Sequence, residues 1–235
     1  MATAPRRCLV TGANRGIGLE LCRQLLARGD EVIATARQPG RATDLNHLVG
    51  EHPGRLHVLP LDVADPKSHA ELLRELPLVS DGPLDLLVNN AGVLHSGERF
   101  GHVDPHNLDD SLRTNASGPF LLTQTLAEAL ADGARVANIS SQLGSITNTT
   151  AFYTPTYAIS KAAQNMATRL LANGLRERGI IVLALHPGWV QTEMGGAGAQ
   201  ITPQASVTGL LQVIERATLA QSGEFFDYAG APMPW

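Results

Sequence analysis

No uninterrupted apolar stretch of about 20 residues occurs anywhere in the chain, so nothing in it reads as a membrane span. The residues before the first apolar run, Met1-Ala2-Thr3-Ala4-Pro5-Arg6-Arg7, contain no segment of signal-peptide character. Cysteine is scarce. Cys8 and Cys22 fall in the first expected strand and helix, which argues against a disulfide framework and for two small buried side chains. There is no basic excess either: 18 Lys and Arg against 22 Asp and Glu give a formal charge of −4, so a nucleic-acid surface is not expected. The eight histidines are scattered, and no His, Cys and Asp set has metal-ligand spacing. Repeats, low-complexity tracts and linkers are missing too. These absences leave one domain over residues 1–235, expected in the cytoplasm and off the membrane.

What is present alternates between two periods. Short apolar runs at Cys8–Val10, Glu31–Ala36, Leu56–Leu61, Leu84–Val88, Arg135–Ile139 and Ile180–Leu185 read as strands. Between them, residues 19–28, 66–76, 106–130 and 157–178 carry helical spacing; 203–217 adds a helix and 224–228 a short strand. Apolar strands separated by helices predict an α/β fold, a doubly wound parallel sheet with helices on both faces.

The segment Thr11-Gly12-Ala13-Asn14-Arg15-Gly16-Ile17-Gly18 sits between the first strand and the first helix. Glycines there let the backbone approach a pyrophosphate, and the following helix N-terminus presents free N–H groups to it. The Gly-x3-Gly-x-Gly spacing resembles the pattern of the short-chain dehydrogenase/reductase family. The second strand ends Ala34-Thr35-Ala36-Arg37, with no carboxylate to accept from a ribose 2′-hydroxyl and an arginine at hand for a 2′-phosphate. With Arg15 as a second cation, this predicts NADP(H), although both arginines would also serve as solvated surface charges. Asp62 and Val63 after the third strand are candidates for the adenine. The run Asn89-Asn90-Ala91-Gly92 after the fourth is a candidate ribose contact through Asn89, Ala91 and Gly92. Read alone, Asp62 is equally a cap for the helix starting at Asp65-Pro66.

Tyr157 and Lys161 lie four apart on an expected helix, hence on one face and one turn from each other. A phenol titrates near 10, too high to shuttle protons well at neutral pH, and an adjacent ammonium favours its ionised form. Ser140-Ser141-Gln142-Leu143-Gly144 follows the fifth strand, at the carboxyl edge where open α/β sheets bind ligands. A hydroxyl there suits a substrate carbonyl, or simply caps a loop. Asn115, inside the long helical stretch, is locally unfavourable; a water held beside Lys161 would compensate it, and so would a place on the surface.

Together these motifs resemble the short-chain dehydrogenase/reductase family along nearly the whole chain. The glycine loop and the ending Gly223 to Trp235 are similar to the C-factor and sniffer-type carbonyl reductases. The resemblance implies a catalytic group of Asn115, Ser141, Tyr157 and Lys161, with Ser141 preferred over Ser140 by the pattern Ser-x2-Gly. It also implies a nicotinamide-contacting segment in which Pro187, Gly188, Val190 and Thr192 take part, and in which the lysine grips ribose hydroxyls. The implied activity is reduction of a ketone or aldehyde by hydride from NADPH, with Tyr157 giving the proton. The alternative is an NADP(H)-binding regulatory protein with little turnover. Ser141 and Tyr157 are 16 residues apart, slightly more than is usual in the family, which points to an enlarged loop over 145–156. Substrate loops are expected at 93–101, 142–156 and 189–202, lined by Leu94, Leu143, Phe152, Trp189 and Met194, with the glycines in 195–198 suggesting a lid. Family members also pair as homodimers or homotetramers through the helices that here carry Asn115 and Tyr157.

Overall fold

A computed structural model describes residues 5–235. Seven strands, β1 (Arg7–Val10), β2 (Glu31–Ala36), β3 (Leu56–Pro60), β4 (Leu84–Asn89), β5 (Leu130–Ile139), β6 (Ile181–His186) and β7 (Phe225–Asp227), form one sheet. Their order is β3-β2-β1-β4-β5-β6-β7, and every neighbouring pair is parallel. The order reverses beside β1, so a crevice opens at the carboxyl ends of β1 and β4, where such sheets take ligands.

The helices are α1 (Gly16–Ala27), α2 (Thr43–Glu51), α3 (Pro66–Val79), α4 (Pro105–Leu112), α5 (Gly118–Thr125), α6 (Pro155–Gly174) and α7 (Pro203–Arg216). Their apolar stripes build two cores, one on each face of the sheet. Leu21, Leu25, Leu45, Leu210 and Ile214 pack on one face, and Leu72, Leu122, Leu126 and Leu171 on the other. Each such side chain stabilises the fold by roughly 1.5–3 kcal/mol. Helix starts follow local chemistry: the carboxylates of Asp65 and Asp104 and the hydroxyl of Thr202 accept backbone N–H bonds at the heads of α3, α4 and α7, each followed by proline.

The stretch expected as one helix over 106–130 is instead α4, a π-helical turn at Arg113–Ser117, α5 and a short 3-10 turn, and Leu130 already belongs to β5. α2 was not expected. Its nine residues carry too few apolar positions to show a period, and only Leu45 and Leu48 are buried. The last helix before β6 starts earlier than expected, at Pro155, so the loop at the substrate mouth is correspondingly shorter.

β3 and β7 form the two edges of the sheet. β3 ends in Pro60. The chain beyond β7 turns back on it: Asp227 donates its N–H to the Ala231 carbonyl at 2.9 Å, and Met233 donates to the Phe225 carbonyl at 2.8 Å.

Candidate active site

The glycine loop is held by the tip of β4. The Thr11 hydroxyl accepts the N–H groups of Asn90 and Ala91, each at 3.0 Å, while the Asn90 side chain donates to the carbonyls of Thr11 and Gly12. Gly12 and Gly16 have positive φ, and a Cβ on Gly12 would lie 2.8 Å from the Ala91 Cα. Gly18 is as confined: a Cβ there would run into the Gly12 carbonyl oxygen. α1 then begins with no side-chain cap and no acidic residue in its first turn, so its leading N–H groups are left for a ligand. Ile17 is half-buried against the core beneath it.

Asn14, Arg15 and Arg37 are exposed around this N-terminus. Arg37 directly follows β2 and makes no ion pair among the described residues, whereas Arg15 is paired with Glu193 of the loop 189–202. Asp62 is exposed, and Asp65, not Asp62, caps α3; the Asp62 carboxylate accepts the Ala64 N–H at 2.9 Å. Val63 is buried and its carbonyl bonds the His69 ring at 2.8 Å. Asn89 is nearly fully buried, and its amide nitrogen donates to Thr123 of α5 and to Asn138 of β5. Its side-chain nitrogen is therefore committed to joining β4 to β5 and to α5, and Asn90 is the amide that faces the glycine loop.

β5 delivers the two serines to different places. Ser140 is buried and donates to Asn165 at 2.6 Å. Ser141 accepts the Leu143 N–H at 3.1 Å and lies against the Tyr157 phenol. A one-turn 3-10 helix, Gln142–Gly144, follows. It packs on α6 so closely that a Cβ on Gly144 would sit 2.8 Å from the Lys161 backbone carbon.

On α6, Tyr157 and Lys161 are both buried, with the ammonium nitrogen 5.6 Å from the centre of the phenol ring. The ammonium donates to the Ile139 carbonyl at 2.7 Å and to Gln164 Oε1 at 2.9 Å. Burial pushes the phenol up to about 12, with the Ser141 hydroxyl pulling the other way. Burial also pushes Lys161 down to about 7. In the free protein desolvation therefore governs both groups, and the depressed phenol that a neighbouring ammonium would give is not found; the Ser141 hydroxyl supplies what lowering there is.

Asn115 lies in the π-helical turn, fully buried. Its side chain accepts the Val93 N–H at 2.8 Å and donates to the Val93 carbonyl and to Ser160 Oγ, both at 2.9 Å. Those three bonds offset the local cost of an asparagine in a helix, and they do so in the interior rather than on the surface. Gly92 packs beside it: a Cβ on Gly92 would lie 3.2 Å from Asn115 Oδ1 and 3.8 Å from Lys161 Nζ.

After β6, the Pro187 carbonyl accepts the Ser206 hydroxyl at 2.6 Å, and Gly188 has positive φ with the Ile201 side chain packed against it. Val190 is buried, and Thr192 Oγ1 accepts the Gly195 N–H at 3.1 Å; Thr192 also packs over Gly16. The Trp189 indole donates to the Gly195 carbonyl at 2.8 Å and covers Gly198, so the segment expected as a lid is folded on its own tryptophan. His186 is pushed down to about 4 by burial, against the pull of Asp227, and is neutral near pH 7. Among the five apolar residues expected at the mouth, Leu94 and Leu143 are half-buried and Phe152, Trp189 and Met194 exposed, so none of them is core.

Residues 6–200 match the sequence profile of the family described as short chain dehydrogenase. The chain belongs to that family. Over 159 residues it is 42% identical to the C-signal protein of Myxococcus xanthus, covering 67% of this chain and 96% of that one. Its fold matches an NADPH-bound carbonyl reductase from chicken fatty liver with a TM-score of 0.92 at 37% identity, covering 99% of this chain and 100% of the other. It matches the carbonyl reductase Sniffer of Drosophila melanogaster with a TM-score of 0.93 at 31% identity, covering 98% and 100%. As a short-chain dehydrogenase, this chain adds two site neighbours that its motifs did not announce. Gln164, three residues beyond Lys161 and so on the same helical face, was within reach of the spacing rule; Glu98, in a loop distant in sequence, was not.

Proposed function

We propose that the protein is an NADPH-dependent carbonyl reductase, converting a ketone or aldehyde to an alcohol. The observation that carries this is the meeting of Ser141, Tyr157 and Lys161 beside the uncapped N-terminus of α1. The residues present fit the cofactor. The free N–H groups of α1 suit its pyrophosphate, and Arg37, unpaired at the end of a strand with no acid at its tip, suits a 2′-phosphate. Arg15 would reach the same phosphate by leaving Glu193. Two of the structural relatives point the same way, one being NADPH-bound and both being carbonyl reductases.

NADPH, when bound, supplies the hydride. The chain's own residues do the rest. Ser141 donates to the substrate oxygen and steadies the charge that develops there. The Tyr157 phenol, protonated at neutral pH because burial holds it high, gives its proton to that oxygen. Lys161, already close to neutrality, charges readily when the phenol becomes a phenolate 5.6 Å away.

The test is oxidation of NADPH with a panel of aldehydes, diketones and quinones. Turnover is expected with wild type, and Tyr157→Phe should bind NADPH with little change while losing turnover at least a hundredfold, in line with a general acid's contribution of about 10²–10⁴. Binding without turnover across the panel would favour a regulatory NADP(H)-binding protein instead. Retained activity in the Phe variant would mean another proton donor.

A further inference from the structure

The head of α6 is capped by a residue from another segment. Its own N-cap, Thr154, is left-handed at φ +38°, makes no capping bond, and has a buried hydroxyl without a partner. The two donors of Thr156 there are met by Glu98, from the loop 93–101. Glu98 Oε2 accepts the Thr156 N–H at 3.3 Å and the Thr156 hydroxyl at 2.9 Å. Thr156 is fully buried and immediately precedes Tyr157. No Lys or Arg pairs with Glu98 among the described residues, and its second oxygen is buried and unpartnered, so the positive end of the helix is what this carboxylate faces. The loop also meets the segment just before α6, where Phe100 packs edge-on to Phe152 with ring centres 5.6 Å apart. At its near end, loop 93–101 is also fixed through Val93 to Asn115, and through Asn115 to Ser160 of α6.

The loop is thus tied to the helix at two points one turn apart, Thr156 and Ser160, with Tyr157 between them. Resting on the carbonyl-reductase reading, we propose that Glu98 is a positioning residue for Tyr157: it holds the first turn of α6 to the substrate loop, so that the phenol's place and the loop's place are set together. A carboxylate suits the task because one oxygen accepts two donors and its charge complements the helix end. A cap drawn from the helix's own N-cap residue would secure the helix equally well. It would not link the helix to the loop.

Glu98→Ala and Glu98→Gln in the full chain test this. For each, kcat, KM for a carbonyl that wild type reduces, NADPH affinity by fluorescence, and amide hydrogen exchange are measured. The Ala variant is expected to lower kcat about tenfold or more while leaving NADPH affinity within about twofold, since small misplacements of a reacting group are costly. It is also expected to speed exchange in residues 93–101 and 155–161 together. The Gln variant, which keeps an acceptor oxygen, should recover most of kcat. The proposal is overturned by an Ala variant with unchanged kcat, by NADPH affinity falling in step with kcat, or by exchange that rises in only one of the two segments. A wild type that reduces no carbonyl would sink the reductase reading, while the paired rise in exchange would still decide whether Glu98 couples loop and helix.

Discussion

Lys161 occupies a demanding position for the role proposed for it. A buried ammonium without a carboxylate partner is held only by the Ile139 carbonyl and Gln164, and its pKa of about 7 records the desolvation. The unfolded chain binds this proton up to about 10.5 and the folded chain only up to about 7, so stability rises with pH across that window and the penalty is complete below it. Comparing urea unfolding of wild type and Lys161→Met at pH 7 and pH 10 should show wild type gaining on the variant by roughly 2–4 kcal/mol with rising pH. A constant difference would mean the lysine is solvated. At Arg37, exposed and unpaired, Arg37→Asp should weaken NADPH binding by about tenfold or more and leave NADH binding almost unchanged, read by fluorescence titration. Equal losses for both nucleotides would remove the 2′-phosphate from this residue. The spacing of Tyr157 and Lys161 and the place of Ser141 after a strand were legible in the sequence, because each is a local property of one helix or one strand end. Glu98 and the Asn115–Ser160 bond were not, since they join segments 58 and 45 residues apart.

Elements were most legible where burial leaves a period. Strand β2 falls where its apolar run predicts, and β1, β4, β6 and α7 end within a residue or two of expectation. The split of 106–130 was invisible for a physical reason: a π-helical turn displaces the helix by a single residue and leaves its composition helical, so apolar periodicity runs through it. That turn is where Asn115 leaves the helix lattice to bond Val93, a function that spacing cannot encode. β5 extends back to Leu130 across Asp132 and Gly133, which no strand pattern would include. The 3-10 turn after β5 gives a further prediction. Gly144 abuts the Lys161 backbone, so Gly144→Ala must push this turn off α6, at a cost of roughly 1–3 kcal/mol in denaturant unfolding and with a loss in kcat from displaced Ser141. Unchanged unfolding and kcat would show that the turn has room to move.

At the scale of the molecule, the strand order makes the amino-terminal strand central. β1 lies between β2 and β4, so the crevice that the glycine loop serves forms only once residues near 84–89 have reached the sheet. This arrangement follows from the right-handed crossovers that helix–strand alternation imposes, which is why the doubly wound class was readable before any contact was known. The chain that returns over β7 has a different consequence. A bare sheet edge is a template on which another chain can pair, and a seven-stranded parallel sheet has two of them. Pro60 blunts one, and the bonds between β7 and the returning arm, from Asp227 to Ala231 and from Met233 to Phe225, occupy the other. Met233→Pro removes the donor to Phe225, and is expected to leave initial specific activity near wild type while light scattering on prolonged warming rises severalfold. On that expectation the arm that closes this edge bears on shelf life rather than catalysis, keeping one copy of the protein from becoming the seed of an aggregate.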